Sequence, residues 1–187
     1  MIMSDKVTFG ISEVAVASVT VTEGVTTYGT PVKIPGAMQL TLTPKNTEIK
    51  LEADNDPNYF ATTSNDGYDA ELTMAKIPDT LKTGYMGYEA DADGSIGEDV
   101  TALPKPFALL YQVEGDAEGT RHIFYNCVPS RGTKTEKSGK TPEGETIPML
   151  IKKPEDSKFI KFFSQKSVDA TKYDAWYTAV QIFNEGV

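Results

Sequence analysis

Cysteine, histidine and tryptophan are almost missing from this chain, which has one of each among 187 residues. Because Cys127 is the only cysteine, no intrachain disulfide can form, and the sequence favours a reducing compartment. The only histidine, His122, excludes a metal site built from several histidines of one chain. Alternation along one predicted strand places these two side chains on opposite faces, so we do not expect a Cys–His nucleophile pair. Both are predicted to be ordinary structural residues.

Long apolar runs are also missing. No segment approaches the roughly 18 apolar residues of a membrane span, and the first ten residues are not typical of a signal peptide. We therefore expect the protein to be made in the cytoplasm and to have no membrane partner. The net charge of −9 argues against ordinary nucleic-acid binding, because only a loose group of lysines lies between Lys134 and Lys140.

Motifs that bind cofactors are not found. The chain has no glycine-rich phosphate loop of either common type. The tract Asp91–Ser95 begins like a calcium loop, but Ile96 and Ala102 stand where a glycine and a glutamate are needed. The tract 54–58 fails in the same way, since Tyr59 occupies its sixth position. The sequence therefore predicts no metal, no cofactor and no enzyme, although a pair of carboxylates close in space would escape a search by spacing.

What the chain does contain is β-strand patterning. Residues 28–44 hold a turn, a Pro-Gly turn and then strict alternation. In that alternation Met38, Leu40 and Leu42 share one face, and Gln39, Thr41 and Thr43 share the other. The richness in Thr, Val and Tyr, punctuated by 15 Gly and 11 Pro, indicates a mainly β protein.

Further strands and one helix follow from the same patterns. Asn65-Asp66-Gly67 predicts a turn, and the acidic stretch 114–119 is predicted to join the two strands of a core hairpin. Pro78 is predicted to begin a short helix that ends at Gly84. The predicted strands are 7–22, 25–28, 38–43, 48–52, 59–63, 68–74, 107–113, 120–128 and 159–163.

Two segments near the C-terminus show little regular alternation of apolar and polar residues. Residues 131–148 contain nothing that could anchor a core, so we predict a long polar, mobile loop. Residues 171–174 resemble a capping box, and the aromatic residues after them follow helical spacing. This aromatic segment, within a C-terminal arm at 167–187, has two readings. It either docks on its own domain, which base rates favour, or packs on a neighbouring copy.

Several blocks of the sequence resemble the major tail proteins of bacteriophages with long, non-contractile tails, closest to those that infect Gram-positive hosts. The resemblance runs from about Val7 to Val180, and its specificity comes from the order of the blocks. These blocks are YGTPVKIPGAMQLTLTP (28–44), EADNDPNYFATTSNDGYDAELTMAKIPD (52–79), KPFALLYQVEGD (105–116), TRHIFYNCVPSRG (120–132) and YDAWYTAV (173–180).

This resemblance implies a tail-tube subunit. Its expected fold is one mainly β domain over 1–187, a β-sandwich or barrel-like body with a short flanking helix, strands or an arm at 1–22, the long loop and the C-terminal arm or helix. Such subunits form hexameric rings that stack into a hollow tube, through which genomic DNA leaves the virion without being specifically bound. The expected partners are other copies and the tape-measure, tail-terminator and distal tail proteins, and the expected location is the virion tail.

Some residues are hypotheses for specific roles in such a tube. Asp69 and Glu71 lie on the polar face of a strand and would repel DNA if they face the lumen. The 131–148 loop is expected to contact a neighbouring subunit, and the strand edge at 159–163 could pair between subunits. Contacts between subunits are predicted for Lys134, Lys137, Lys140, Trp176 and Tyr177.

Two other functions stay open from the residues alone. The first is a monomeric β-sandwich binding module, for example a carbohydrate-binding or adhesin-like domain that uses Tyr59 and Trp176. The second, ranked lowest, is a hydrolase with a carboxylate pair. Microscopy of the purified protein separates the first of these from a self-assembling protein, and an activity screen addresses the second.

Overall fold

A computed structural model describes residues 10–136, 138 and 143–183 of the chain. It confirms a mainly β protein with two short helices. The strands are β1 (Ile11–Thr22), β2 (Val25–Tyr28), β3 (Val32–Lys33), β4 (Ala37–Ala53), β5 (Asp56–Met74), β6 (Tyr88–Ala90), β7 (Ile96–Glu98), β8 (Phe107–Val113), β9 (Arg121–Pro129), β10 (Glu145–Ile151) and β11 (Lys161–Ser164). The helices are α1 (Asp79–Tyr85) and α2 (Ala170–Asp174).

Nine of these strands form one antiparallel sheet, in the order β2-β1-β8-β9-β10-β5-β4. Strand β3 pairs with β1 on the side that faces away from β8, next to β2, and β11 pairs with β9 beside β10. Strands β6 and β7 form a separate ribbon. The predicted pairing of residues 25–28 with the first strand is confirmed, as is the core hairpin of β8 and β9.

The three central strands, β1, β8 and β9, are buried on both faces. In β1, Val14 and Val16 face one apolar cluster, whereas Ala15 and Ala17 face a second. A strand buried on both sides needs a continuous apolar run, and the sequence VAVASV supplies it. The segment 1–22 is therefore a central strand from Ile11 onward, not an arm, and residues 1–9 lie outside the described residues.

The first cluster lies where β5 and β10 meet the central strands and α1. Leu72, Phe107 and Ile147 have no exposed surface there, and Leu81 anchors the helix. Helix α1 begins after Pro78 as predicted, because proline fits the N-terminal end where no N–H partner is needed. It ends at Tyr85, so Gly84 lies inside the helix and does not terminate it.

The second cluster is covered by the C-terminal segment. Trp176 is fully buried against Ala15, Ala17 and Leu110, and Phe162 packs beside it. Helix α2 is shorter than the helical spacing suggested. Its N-cap is Asp169, whose carboxylate accepts a hydrogen bond from the Lys172 N–H at 3.0 Å, and not the predicted Thr171. Residues 184–187 of the expected arm lie outside the described residues.

The predicted loop 131–148 is too long at its C-terminal end. Residues 145–148 belong to β10, which pairs with β5 from Glu145 to Ile151. The sequence ETIPMLI alternates, and Ile147, Met149 and Ile151 all point into the core. Pro148 obscured this strand because proline rarely occurs within one. The connection between β9 and β10 is therefore 130–144.

No helix among the residues described has the length and apolar character that crossing a membrane requires.

Candidate assembly surfaces

A long two-stranded arm projects from the sheet. Strand β10 pairs with β5 only as far as Tyr68, so residues 56–65 of β5 pair with β4 alone. The arm consists of residues 46–65, and its strands (46–53 and 56–65) pair from Asn46↔Asn65 to Ala53↔Asp56. With about 3.4 Å per residue, it extends roughly 27 Å from the body.

The base of the arm is a β-bulge where the sequence had predicted a turn. Asp66 and Gly67 together oppose the single residue Lys45, so β5 continues through Asn65-Asp66-Gly67 and does not reverse there. Gly67 has a φ of 102°, and a Cβ at this position would lie 2.1 Å from the Ile151 carbonyl oxygen. The turn prediction was wrong because a bulge and a turn need the same glycine conformation.

Polar side chains hold this base together. The Ser64 hydroxyl donates to the Asp66 carboxylate at 2.8 Å, and the Thr47 hydroxyl from the opposite strand donates to the same carboxylate. These two hydrogen bonds, with that from Thr47 the larger effect, lower the pKa of Asp66. The carboxylate therefore links the two strands where they leave the body.

The tip of the arm is a two-residue turn at Asp54-Asn55. Both residues have positive φ, 52° and 62°, as a type I′ turn requires, and asparagine is favoured in that conformation. The start of the polar tract 54–58 therefore closes a hairpin. The strands predicted at 48–52 and 59–63 are the two sides of the arm.

The two faces of the arm differ in chemistry. On one face Ile49, Leu51 and Phe60 are 48%, 57% and 51% exposed. We call these three residues the apolar face of the arm. On the other face Glu48 and Lys50 form an ion pair at 2.9 Å.

An apolar face on a two-stranded ribbon is unusual for a free protein. An isolated hairpin is at best marginally stable in water, and three or more strands or a packing partner are needed to stabilise it. Nothing in the described chain covers the apolar face. The arm therefore has the properties of a surface that another molecule covers.

The predicted lumen-facing acids lie on the body, beside the arm. Asp69 and Glu71 are both exposed, on the outer face of β5 next to Thr41 and Thr43. Asp69 pairs with Lys45 at 3.2 Å, so part of its charge is offset. The structure thus brings both acids together on one polar face, as the alternation predicted.

One residue of the alternating strand departs from the prediction. Leu40 and Leu42 pack against the core as expected, whereas Met38 is 59% exposed. An extra residue in β4 between Ala37 and Gln39 turns Ala37 inward and Met38 outward.

The lysines proposed for contacts between subunits fall in and beside the β9–β10 connection. Lys134 is exposed, and it pairs with Glu136 and, at 3.8 Å, with Glu145. Lys137 and Lys140 lie outside the described residues. Glu145 is nearly buried and accepts a hydrogen bond from the Ile77 N–H at 2.8 Å, so it ties this connection to the segment before α1.

The aromatic residues proposed for contacts between subunits are held within their own chain. Trp176 has no exposed surface, which corrects its assignment to an inter-subunit contact and favours docking on its own domain. Tyr177 is half-buried, with the Arg121 guanidinium 5.0 Å from its ring centre. Arg121 also lies 3.8 Å from the Tyr173 ring centre and donates to the Tyr173 carbonyl oxygen. This arginine fastens the C-terminal segment to β9.

The residues with reactive side chains are placed in packed surroundings. A bulge in β9 puts His122 and Cys127 on the same face, so the expectation of opposite faces was wrong. His122 stacks on Tyr111 with ring centres 5.0 Å apart, and burial, aided by Lys161 and opposed by Asp116, lowers its pKa to about 4. Burial raises the pKa of the Cys127 thiol. Neutral forms of both groups suit a core and give no activated nucleophile.

Metal binding finds no support in the geometry either. In the part of the chain that the structure describes, no three His, Cys, Asp or Glu side chains are grouped to hold a metal ion. The chain matches no protein-family model and no curated protein. The resemblance to phage tail proteins therefore stays a prediction, and the arm is the surface on which a function can be argued.

Proposed function

We propose that this protein is a structural subunit that assembles with copies of itself, and that the assembly is a phage tail tube of stacked hexameric rings. The observation that carries self-assembly is the apolar face of the arm, formed by Ile49, Leu51 and Phe60, which no described residue of the same chain covers. Burying the exposed half of each of these side chains contributes about 1 kcal/mol. Repetition of that contact around and along a tube gives a stable polymer from modest single interfaces.

Strand edges offer a second way for copies to join. Strand β4 ends the sheet, and no other described strand pairs with its outer edge from Ala37 to Ala53. An unpaired edge of this length is a template for pairing with another chain. The edge of β11 that faces away from β9 is shorter, over Lys161–Ser164. These edges support assembly through sheets that continue from one copy to the next.

The proposed tail-tube identity rests on the resemblance of the sequence to phage tail proteins together with its acidic charge. A conduit for DNA should not hold the phosphate backbone, because each contact would add a salt-dependent attraction at every ring. The net charge of −9 and the exposed acids Asp69 and Glu71 suit such a wall. In this proposal the other tail proteins bind the ends and the inside of the tube, and the genome passes without specific recognition.

Electron microscopy of the purified protein at rising concentration tests the proposal. We expect rings or tubes of one uniform diameter. A population of single particles at all concentrations, with no larger species in sedimentation, would contradict self-assembly. Tubes without a central channel would contradict a tail tube while leaving self-assembly intact.

The binding-module alternative loses one of its two aromatic residues. Trp176 is buried in the core and cannot stack on a sugar, whereas Tyr59 on the arm is 58% exposed. Tyr59 and its neighbour Phe60, which is also exposed, are consecutive in one strand, so alternation directs them to opposite faces of the ribbon and they do not form one stacking platform.

A further inference from the structure

The two strands of the arm each have one edge that no other described strand covers, because within residues 46–65 they pair only with each other. Such an edge holds unpaired backbone N–H and C=O groups and is a template for a strand of another chain. The far end of the sheet is partly closed. There the Thr26 N–H of β2 donates a hydrogen bond at 2.8 Å to the Asp156 carboxylate, so an added strand cannot use that group. The arm is therefore the best-exposed place for extending the sheet.

Charge distinguishes the two edges of the arm. The β5 side of the arm holds one charged residue, Asp56, and it includes Pro57, which has no N–H to donate. The β4 side holds Glu48, Lys50 and Glu52, so charges of opposite sign alternate at every second position. Only the β4 side can therefore form opposite-charge pairs with a copy of itself.

The geometry of an antiparallel ladder restricts how this edge can pair with its own copy. Residues directly opposite each other have the same hydrogen-bonding state and point to the same face. Both properties alternate along β4, whose register is continuous from Asn46 to Leu51. An even-numbered residue of one copy can therefore lie opposite only an even-numbered residue of the other. A two-fold pair is then centred on a single residue, which lies opposite its own copy.

Ile49 is the centre that satisfies the charges. With Ile49 opposite its own copy, Glu48 lies opposite Lys50 of the second copy, and Lys50 lies opposite Glu48 of the second copy. Two opposite-charge pairs therefore form at once, which stabilises an antiparallel pair of strands. A centre at Glu48 or at Lys50 would instead place that residue opposite its own copy, and like charges directly opposite each other are destabilising.

The remaining centres give weaker pairs. A centre at Thr47 places neither Glu48 nor Lys50 opposite a charged residue. A centre at Leu51 pairs only residues 49–53, because β4 ends at Ala53. The centre at Ile49 is the one that uses nearly the whole β4 side of the arm and places opposite charges together.

We propose that two copies of this chain pair through the β4 sides of their arms, antiparallel and centred on Ile49, a contact that rests on the self-assembly proposed above. The two ribbons then form one four-stranded sheet, which is more stable than a ribbon of two strands. Ile49, Leu51 and Phe60 of both copies lie on the same face of that sheet. A contact between two copies of one surface closes as a dimer. It therefore describes how the first two copies join, and other contacts extend the assembly.

Cysteine cross-linking tests the register directly. We expect Ile49→Cys to give a covalent dimer on mild oxidation and no longer species, since the two introduced thiols lie opposite each other. The matched control is Leu51→Cys, on the same face and 57% exposed against 48% for Ile49. Its own copy would lie four residues along the ladder, roughly 13 Å away, which is too far for a disulfide. Native Cys127 is fully buried and does not compete.

A second variant keeps Ile49 in place. Thr47→Cys/Leu51→Cys should also give a covalent dimer, because residue 47 of one copy lies opposite residue 51 of the other. A covalent dimer from Leu51→Cys alone would show a different centre and overturn the register. A covalent dimer from Phe60→Cys, with none from Ile49→Cys, would show that copies join through β5.

A charge exchange gives an independent measurement. Glu48→Lys and Lys50→Glu should each weaken dimerisation about tenfold in sedimentation, because two opposite-charge pairs become two like-charge contacts. An equimolar mixture of the two variants should dimerise like wild type, since each copy supplies the charges that the other lacks. Within one chain Glu48 and Lys50 also form an ion pair at 2.9 Å, which mixing cannot restore. A loss that persists in the mixture would therefore contradict the contact between arms.

The outcomes separate this inference from the proposed function. If wild type stays monomeric at every concentration, both proposals fail. If wild type assembles but neither Ile49→Cys nor Thr47→Cys/Leu51→Cys gives a covalent dimer, the arm pair is wrong and self-assembly stands. If the expected covalent dimers form but no rings or tubes appear, the arm pair stands and the tail tube is wrong.

Discussion

Single residues decide where the chain bends and which groups stay neutral. Gly67 permits the bulge from which the arm leaves the body, and its positive φ and close approach to Ile151 leave no room for a side chain. His122 lies between aromatic rings and is kept neutral by burial. Both residues are packed against other parts of their own chain, so we expect their substitution to change stability.

Gly67→Ala should destabilise the protein by about 2 kcal/mol or more, because the backbone conformation is strained for alanine and the new Cβ collides with a backbone oxygen. Gly24→Ala is the matched control, since Gly24 has a similar φ of 80° but no atom within 4 Å of an added Cβ. We expect that control to cost about 1 kcal/mol. Urea unfolding of both variants measures the difference, and equal losses would contradict the collision at the arm's base.

His122 should make stability depend on pH in a defined window. Its pKa is about 4 in the folded protein and about 6.5 when unfolded, so the unfolded chain binds more protons between these values. The free energy of unfolding should therefore fall as pH drops from 6.5 to 4. The expected loss is about 2 kcal/mol, less than the full pKa difference gives, because the ring is partly exposed.

His122→Phe should flatten that part of the stability curve, and no other histidine contributes to it. Thermal or urea unfolding of both proteins at several pH values provides the measurement. Parallel curves for wild type and variant between pH 4 and 6.5 would show that His122 is not held neutral by the fold.

The individual strands differ in how well the sequence predicts them. The strands at 107–113 and 120–128 were predicted almost to the residue, because apolar runs bounded by turn residues have one simple solution. Strand β10 was missed because Pro148 and the polar residues before it mask its alternation. Strands formed by one uninterrupted apolar run could be predicted from the sequence, whereas the strand interrupted by Pro148 could not.

The arm was missed for a related reason. Its two strands were predicted, but Asn65-Asp66-Gly67 predicted a turn where the structure has a bulge. Sequence periodicity indicates which residues are extended, but it does not show which strands lack a second neighbour. Ile49, Leu51 and Phe60 are exposed because the two strands of the arm pair only with each other, which is a property of the tertiary structure. The candidate site was therefore available only from the structure.

The C-terminal segment should behave as part of the folded domain. Trp176→Ala removes a fully buried side chain from the second cluster and should lower the free energy of unfolding by about 3–5 kcal/mol. Val168→Ala, on the same segment but 77% exposed, should change it by no more than about 0.5 kcal/mol. If Trp176→Ala unfolds like wild type but fails to assemble, the tryptophan serves a neighbour and not its own core.

For the whole protein, the distribution of exposed charge matters most for the proposed function. The exposed acids Asp69 and Glu71 share the polar face beside the arm's base. In the proposed tube, such an acidic wall would repel DNA. These properties depend on where the residues lie in the folded protein, and no single sequence motif predicts them.

If the chain is the proposed tail-tube subunit, replacing Asp69 and Glu71 by lysine tests whether these acids face the lumen of that tube. Under this proposal, phage that carry the double substitution should eject DNA more slowly, most clearly at low salt, because the new cations attract the phosphate backbone. Lys76→Glu, at another exposed position, serves as a charge-altering control away from this face. Unchanged ejection at low salt would show that the two acids do not line the channel.

Sedimentation velocity over a range of concentrations tests whether the apolar face of the arm drives self-assembly. Ile49→Ser/Leu51→Ser/Phe60→Ser should raise the concentration needed for assembly about 100-fold, as expected for the loss of about 3 kcal/mol of apolar burial. The control Glu48→Ser/Lys50→Ser changes the opposite face of the same ribbon and should assemble within a few-fold of wild type. Assembly of the apolar-face variant at the wild-type concentration would show that this face does not drive self-assembly.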